Sequence, residues 1–152
     1  MKVKKSVYLV DKFVDYTGTE RPVTMCASSI ECDARDGIVI GDFRNTDCIE
    51  DAEGCSITKI LSLGIAVGHI NDKNCWNEEI GKKIALGRSL KWNIGSPILV
   101  TSYKGFISTE LVDAFLKKEM EHFKKDPGTY ITGYNDSKER YLKKCQTEQK
   151  QD

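Results

Sequence analysis

The sequence predicts an α+β protein, in which an antiparallel sheet of about four to five strands is packed by two main helices and followed by a C-terminal helical tail. Three observations predict this class. Alternating apolar residues and turn signals fill the first half of the chain. Apolar residues recur at helical spacing in two later stretches, and a charged segment ends the chain. We expect one domain over residues 1–136 and a helical or frayed tail over residues 137–152.

The first half of the chain has the pattern of an antiparallel meander of four strands. Alternation and β-branched residues predict strands over 6–16, 23–30, 38–43 and 57–70. A turn punctuated by Gly and Pro separates the first two strands, and an Asp-Gly step favours a hairpin between the second and the third. The acidic loop 45–54 lacks the spacing of a calcium loop, so we interpret it as a solvated connection.

Gly64 and Gly68 interrupt the fourth strand, whose apolar residues otherwise alternate along one face. A glycine inside a strand marks a bulge, or it leaves room for another group to approach the backbone closely. A structural role is the usual reason for such a glycine, and we take it as the first interpretation of both residues.

A helix is predicted from about Cys75 to Lys91, after a polar turn in which Asp72 or Asn74 caps its first turn. Acidic residues near its start complement the positive end of the helix dipole. The apolar residues that we expect to contact the sheet are Ile80, Ile84 and Leu90.

Small residues and one arginine give this helix a second feature. Gly81, Ala85 and Arg88 are spaced by four and three residues, so they lie on one stripe. Because glycine inside a helix costs about 1 kcal/mol relative to alanine, Gly81 and Gly87 need a reason. One reason is close packing against another backbone, which is the more common one. The other is room for a ligand, with Arg88 holding an anion in its planar fork.

The segment from Gly64 to Leu90 resembles a motif of small phage-type α/β proteins. In that motif a Gly-x-Ala strand is followed by a His-x-x-Asp turn and a Gly-x-x-Ile-Ala-x-x-Arg-x-Leu helix. The pattern is also similar to the phage anti-Thoeris sponge proteins, which sequester a cyclic ADP-ribose signal made by host TIR domains. Ser89 and Ile70 depart from the alanine and proline that are usual at these positions. The resemblance implies a non-enzymatic binder that acts in the bacterial cytoplasm and counteracts host defence.

A binder of this kind would hold a small anionic nucleotide between the turn after the fourth strand and the following helix. In this interpretation Arg88 pairs with a phosphate, and an asparagine contacts polar edges of the ligand. An aromatic residue stacks on a base. We expect a homodimer or a higher homo-oligomer, with no cofactor and no bound metal. The candidate ligand-binding residues are His69, Asn71, Asp72, Trp76, Asn77, Arg88 and Phe106.

Composition and missing motifs narrow the class of protein. Of 152 residues, 30% are charged and 39% are hydrophobic, and no apolar run approaches the ~18 residues that a membrane span needs. The N-terminus lacks the pattern of a signal peptide, which predicts an intracellular protein.

Six cysteines without a C-x-x-C pair are predicted to be free thiols. Cys75 and His69 are close in sequence but lack a third orienting group. No phosphate loop, nucleotide-fold glycine fingerprint, serine elbow or metal triad occurs, so we predict that the protein is not an enzyme.

Two other functional classes stay open. Residues 1–57 contain 7 basic and 11 acidic side chains, whereas residues 58–152 contain 16 basic and 12 acidic ones. The tail interleaves tyrosines with basic residues, an arrangement that stacks on bases and grips phosphates, or that docks onto a partner subunit. The alternatives are therefore a phage nucleic-acid- or protein-interaction module and a virion or accessory protein without a small ligand.

Overall fold

The computed structural model describes residues 2–33, 48–50, 56–68, 76–90, 99–103 and 107–149. The strands are β1 (Lys2–Val14), β2 (Glu20–Asp33), β3 (Cys48–Glu50), β4 (Ser56–Val67) and β5 (Leu99–Tyr103). The helices are α1 (Glu78–Ser89), α2 (Thr109–Lys125) and α3 (Tyr134–Gln149), and a 3-10 turn, Pro127–Thr129, lies between α2 and α3.

Three long antiparallel strands, in the order β1–β2–β4, make the body of the sheet, where the sequence predicts four to five strands. β2 pairs with β1 along one edge and with β4 along the other. Two short segments occupy the far edge of β4, since β3 pairs with residues 56–58 and β5 with residues 59–63. The α+β class, the antiparallel sheet and the tail helix are confirmed.

The strand pairing and the start of the tail helix differ from the sequence predictions. The third predicted strand, 38–43, lies outside the described residues, and the second and fourth predicted strands, β2 and β4, pair directly with each other. The tail helix α3 begins at Tyr134, a few residues before the predicted start at 137. The division of the chain into residues 1–136 and 137–152 stays a prediction.

A buried carboxylate shapes the hairpin that joins β1 to β2. Asp15, only 6% exposed, accepts hydrogen bonds from the backbone N–H groups of Thr17 and Thr19, at 2.9 and 3.1 Å. Gly18 takes a φ of 80°, which a residue with a side chain rarely adopts. Arg21 lies 3.8 Å from the Asp15 carboxylate and donates from Nε to the Gly68 carbonyl at 2.7 Å. The hairpin is thereby tied to the end of β4.

Both faces of the central strands are covered, because successive side chains of a strand point to opposite faces. One face carries large apolar residues that pack against α2 and the turn after it. The other face carries small residues and faces α1. The first face carries Val23, Met25, Ala27, Leu61, Leu63 and Ile65, and the second carries Thr24, Cys26, Ser28, Ser62, Gly64 and Ala66.

α1 lies so close to β4 that Gly64 has no room for a side chain. A Cβ atom at this position would lie 2.0 Å from the Ala85 carbonyl oxygen and 2.5 Å from the Ser89 nitrogen. A Cβ atom on Gly81 would lie 2.7 Å from the Thr24 hydroxyl oxygen. Close packing therefore explains both glycines. Gly87 differs, because a Cβ atom there would meet nothing within 4 Å.

The small-residue face of the sheet also determines which side of α1 is buried. Ile80 and Ile84 are 39% and 37% exposed, so the prediction that they contact the sheet is wrong. A helix that sits this close to a strand backbone can present only small residues to it, because isoleucine would hold the two backbones apart. Leu90, at the end of the helix, is half-buried. The residues of α1 that are buried are Gly81, Ala85 and Ser89.

We predict that Gly64→Ala destabilises the protein by at least about 3 kcal/mol, the upper end of overpacking effects, because its methyl group would collide with helix backbone. The matched control is Gly87→Ala, which places the same methyl group in open space and removes a helix glycine. It should stabilise the protein by about 0.5–1 kcal/mol. Urea unfolding of the two variants measures both effects. A neutral Gly64→Ala would contradict the close contact of α1 with β4.

Candidate functional site

Arg88 is exposed in the last turn of α1, and its guanidinium group is held in place by the sheet. Its Nη1 atom donates to the Ile65 carbonyl oxygen at 2.6 Å. Ile65 lies two residues beyond Leu63, which forms the last β4–β5 pair. Among the described residues, no carboxylate forms an ion pair with Arg88. Since a guanidinium has five N–H donors, the bond to the Ile65 carbonyl uses only one part of its donor set.

Arg88 ends an exposed surface along one side of the helix, which we name the α1 flank. Its residues are Asn77, Ile80, Ile84 and Arg88. Asn77, Ile84 and Arg88 are seven and four residues apart, so they lie on one side of the helix, with Ile80 beside them. At 1.5 Å per residue the flank is roughly 16 Å long. It therefore places an apolar strip between an amide and a guanidinium.

Asn77 caps α1, a role that the sequence prediction assigns to Asp72 or Asn74. The Asn77 side-chain oxygen accepts a hydrogen bond from the Ile80 backbone N–H at 2.8 Å. Capping uses the oxygen of the amide and leaves its NH2 group for other partners. The helix accordingly begins at Glu78 rather than at Cys75.

Trp76 is half-buried and packs against the small core beneath α1. A Cβ atom on Gly81 would lie 2.8 Å from the indole Cζ2 atom, and one on Gly68 would lie 3.4 Å from Cδ2. The ring therefore occupies the space that these two glycines leave open, and it holds the start of the helix against the sheet. Trp76 thus has a packing role, and its proposed role in stacking on a base stays a prediction.

Four other candidates lie outside the described residues, and their proposed roles stay predictions: His69, Asn71, Asp72 and Phe106. Of the three candidates that the structure does describe, Trp76 and Asn77 lie together at the start of α1. Arg88 lies at the other end of the same helix.

Buried hydroxyl groups anchor the end of α1 next to Arg88. Ser89 is fully buried, and its hydroxyl lies 2.7 Å from the Ser28 hydroxyl of β2. Ser62 of β4 donates to the Ser89 carbonyl at 2.5 Å. Cys26 lies in the same cluster, where burial raises the pKa of its thiol. The last turn of α1 is thus hydrogen-bonded to both central strands, which fixes the position of the Arg88 backbone.

A second polar constellation lies on α2, on the other face of the sheet. The Tyr130 hydroxyl donates to the Glu119 carboxylate at 2.5 Å and lies 2.7 Å from His122 Nδ1. Glu119 is 4% exposed and Tyr130 is 5% exposed. The 3-10 turn after α2 reverses the chain, and the Tyr130 ring then packs 5.6 Å from Phe123. We name this constellation the Glu119–Tyr130–His122 relay.

Sequence reasoning missed this relay. Glu119 and His122 are three residues apart on one helix, a spacing that places them on neighbouring positions of its surface. That spacing was a usable signal, whereas the return of Tyr130 depends on the turn over Pro127–Thr129 and has no local signature. The sequence analysis assigns Tyr130 to a basic, aromatic tail. In the structure, Tyr130 is a buried core residue.

Two further properties concern only the residues that the structure describes. No three His, Cys, Asp or Glu side chains in these ranges are grouped closely enough to hold a metal ion. None of the helices in these ranges has both the length and the apolar character that crossing a bilayer requires.

We predict that Tyr130→Phe lowers the free energy of unfolding by about 1.5–3 kcal/mol, because it removes a hydrogen bond to a buried carboxylate. Tyr8→Phe is the matched control, since Tyr8 is 36% exposed, and it should change stability by less than about 0.5 kcal/mol. Denaturant unfolding measures both. Equal stability of the two variants would show that the Tyr130–Glu119 bond contributes nothing.

Comparison with known proteins finds no match for this chain among protein-family models, curated proteins or solved structures. The resemblance of the segment from Gly64 to Leu90 to phage proteins therefore stays a prediction.

Proposed function

We propose that this protein is a non-enzymatic binder that sequesters a small anionic nucleotide of the cyclic ADP-ribose type. In this proposal it is encoded by a phage, acts in the cytoplasm of the host bacterium and counteracts host defence by removing an immune signal. The observation that carries the proposal is the exposed Arg88 guanidinium, which is fixed by one hydrogen bond and has no ion-pair partner among the described residues.

Arg88 suits a phosphate for two physical reasons. Its planar fork of N–H donors matches the oxygens of a phosphate in a bidentate geometry, and such charge-assisted bonds are about twice as strong as neutral ones. The hydrogen bond to the Ile65 carbonyl holds the side chain before a ligand arrives, so binding loses less conformational freedom. A phosphate at the C-terminal end of a helix meets the negative end of the helix dipole. Binding there therefore depends on the arginine.

The apolar part of the α1 flank suits the remainder of a nucleotide. Ile80 and Ile84 expose more than a third of their surface, although they are large aliphatic residues. A base or a ribose ring that covers them removes this apolar surface from water. Phosphate and ring are then recognised by adjacent parts of one helix side.

Binding without turnover is the form of the proposal that the flank supports. Its residues are an amide, two aliphatic side chains and a guanidinium. None of these groups acts readily as a general base near neutral pH. We propose that the ligand leaves the protein chemically unchanged.

We also propose that the protein forms a homodimer or a higher homo-oligomer. Nearly all of α3 is exposed, including Leu142 at 46% and Tyr141 at 36%. A helix of 16 residues with this many polar positions gains little from packing on its own chain. A second subunit would cover it.

A second candidate function rests on the charge of the same helix. Four basic side chains are exposed along α3, namely those of Lys138, Arg140, Lys143 and Lys144. Such a helix can bind a nucleic-acid backbone, so the alternative is a nucleic-acid- or protein-interaction module. Salt separates the two functions, because duplex binding weakens steeply with salt through counterion release, whereas binding of one small anion weakens much less.

The experiment that tests the proposal is thermal unfolding against a panel of nucleotides that includes cyclic ADP-ribose isomers and cyclic oligonucleotides. A ligand at a hundredfold excess over its dissociation constant stabilises the native state by about 2.7 kcal/mol. The unfolding midpoint should then rise by roughly 5–10 °C with one class of compound. Mass spectrometry of the released compound should show it unaltered.

Variants of α1 connect such a shift to the flank. Arg88→Ala should weaken binding at least about tenfold, because it removes a charge-assisted contact. Lys83→Ala is the matched control, since it removes an exposed positive charge on another side of the same helix, and it should leave binding unchanged. If no nucleotide raises the midpoint, or if Arg88→Ala binds as the native protein does, the proposal is wrong.

A further inference from the structure

β1 forms one edge of the sheet, since among the described strands only β2 pairs with it. Across the hairpin, the Asp15 N–H donates to the Thr19 carbonyl. Residues of an antiparallel strand bond alternately to the neighbour on either side, so Asp15 and the odd-numbered residues before it bond to β2. The Gly68 N–H donates to the Pro22 carbonyl on the far side of β2, in agreement with this alternation. The even-numbered residues over Ser6–Val14 therefore direct their N–H and C=O groups to the free edge.

Ser6, Tyr8 and Val10 have backbone groups on this edge that are available to another strand. Within the described part of the chain, no group bonds to their outward N–H and C=O groups. Tyr8 and Val10 each expose more than a third of their surface, so no neighbouring element covers the edge there. Such a row of backbone donors and acceptors is a template for pairing with a strand of another chain.

The stretch from Lys5 to Asp11 is complementary to itself, with Tyr8 at its centre. When two copies of it pair in antiparallel orientation about Tyr8, Ser6 lies opposite Val10 of the second copy. These residues, together with Tyr8, then exchange the backbone hydrogen bonds that the free edge offers. In the same register Lys5 lies opposite Asp11 of the second copy, so opposite charges meet at both ends of the stretch.

The structure itself marks the two ends of this stretch. The register of β1 with β2 shifts between Val3 and Lys5, so regular pairing begins at Lys5. At the other end, the Lys12 N–H donates to the Asp11 carboxylate at 2.8 Å, and the Lys12 ammonium lies 3.4 Å from Glu20. Lys12 thus has partners within its own chain, and the unused backbone groups lie between the two ends.

α2 adds charges of the matching sign beside this edge. The Lys5 ammonium donates to the hydroxyl of the first residue of α2, and Lys124 in its last turn lies 2.6 Å from the Asp11 carboxylate. α2 therefore runs over β1 from Lys5 towards Asp11, and antiparallel pairing of β1 places the start of each α2 beside the end of the other. Asp113, Lys117 and Lys124 share one side of α2. In the pair, Asp113 falls between Lys117 and Lys124 of the second copy.

We propose that β1 is a subunit interface, at which two copies of the chain pair through residues 5–11 and form one continuous sheet. Val7 of each copy then lies opposite Leu9 of the other, on the face against which α2 packs. This proposal deepens the homo-oligomer of the proposed function, on which it rests, by assigning a subunit contact to β1. Arg88 bonds to β4 rather than to the β1 edge, so both ligand sites stay open in the pair. A further contact through α3 gives a higher homo-oligomer.

Sedimentation analysis of the full chain and of two lysine variants tests the interface. Tyr8→Lys places two positive charges opposite each other at the centre of the paired stretch, so it should raise the dissociation constant of the dimer at least about tenfold. Val14→Lys is the matched control, because Val14 is 63% exposed and lies on β1 outside that stretch. It should leave the dissociation constant unchanged. Both positions are exposed, and circular dichroism should show that both variants keep the native fold.

Oxidative cross-linking tests the register of the two strands. Tyr8→Cys brings two thiols opposite each other, within the Cα separation of about 4.4–6.8 Å that a disulfide spans, so mild oxidation should give a covalent dimer linked through position 8. Val10→Cys is the control. Because Val10 lies opposite Ser6 of the second copy, the two copies of position 10 are roughly 13 Å apart and should not link. Peptide mass spectrometry distinguishes these links from links through the native cysteines.

Three results would each overturn the β1 interface: a monomer at every concentration, equal dissociation constants for Tyr8→Lys and Val14→Lys, or linkage through position 10. These results are distinguishable from failure of the proposed function. A monomer that still binds a nucleotide through Arg88 leaves sequestration standing and rules out the interface. A dimer that is linked through position 8 and binds no nucleotide supports the interface and rules out sequestration.

Discussion

The contact between the backbone of α1 and the backbone of β4 at Gly64 determines the architecture of this protein. A helix and a strand approach this closely only if the residues between them are small, and both partners satisfy that condition. β2 and β4 present small side chains on this face, and α1 presents Gly81, Ala85 and Ser89. The large apolar side chains therefore lie on the opposite face of the sheet, against which α2 packs. The larger aliphatic residues of α1 are left on its exposed side.

Hydrogen bonds fix the position of α1 on the sheet at this close contact. The hydroxyl groups of Ser28, Ser62 and Ser89 connect the end of α1 to both central strands, all in buried positions. Arg88 adds a bond to β4 from the rim of the same contact. Buried hydroxyl groups that are satisfied in this way favour one helix position over its neighbours, because a shift would leave them without partners. The guanidinium at the rim is consequently presented by a fixed part of the fold.

The sequence was sufficient to predict those elements whose signals lie within a few neighbouring residues. A serine just before a helical run of apolar residues is a local signal for a cap, and the Ser108 side chain accepts from the Leu111 N–H at 3.1 Å. The helical spacing of Val112, Leu116 and Phe123 identified the core side of that helix. For α1 the same reasoning failed, because it assumed that the largest apolar residues face the sheet. Gly64 and Gly81 contained the opposite signal, but only the structure shows that Gly64 faces the backbone of Ala85 and Ser89 and that Gly81 faces Thr24. On α2, spacing indicated that Glu119 and His122 are neighbours, but the return of Tyr130 to them depends on a chain reversal that spacing does not predict.

The central functional claim is that the Arg88 guanidinium binds the phosphate of a nucleotide. The most direct test follows the Arg88 Nε–Hε signal by NMR during a titration with cyclic ADP-ribose isomers, with Arg88→Lys for assignment. We expect a saturable shift of this signal, while the signals of Arg21 and Arg140 stay unchanged. A ligand that binds the protein but leaves the Arg88 signal in place would contradict the account, as would the absence of binding by every isomer.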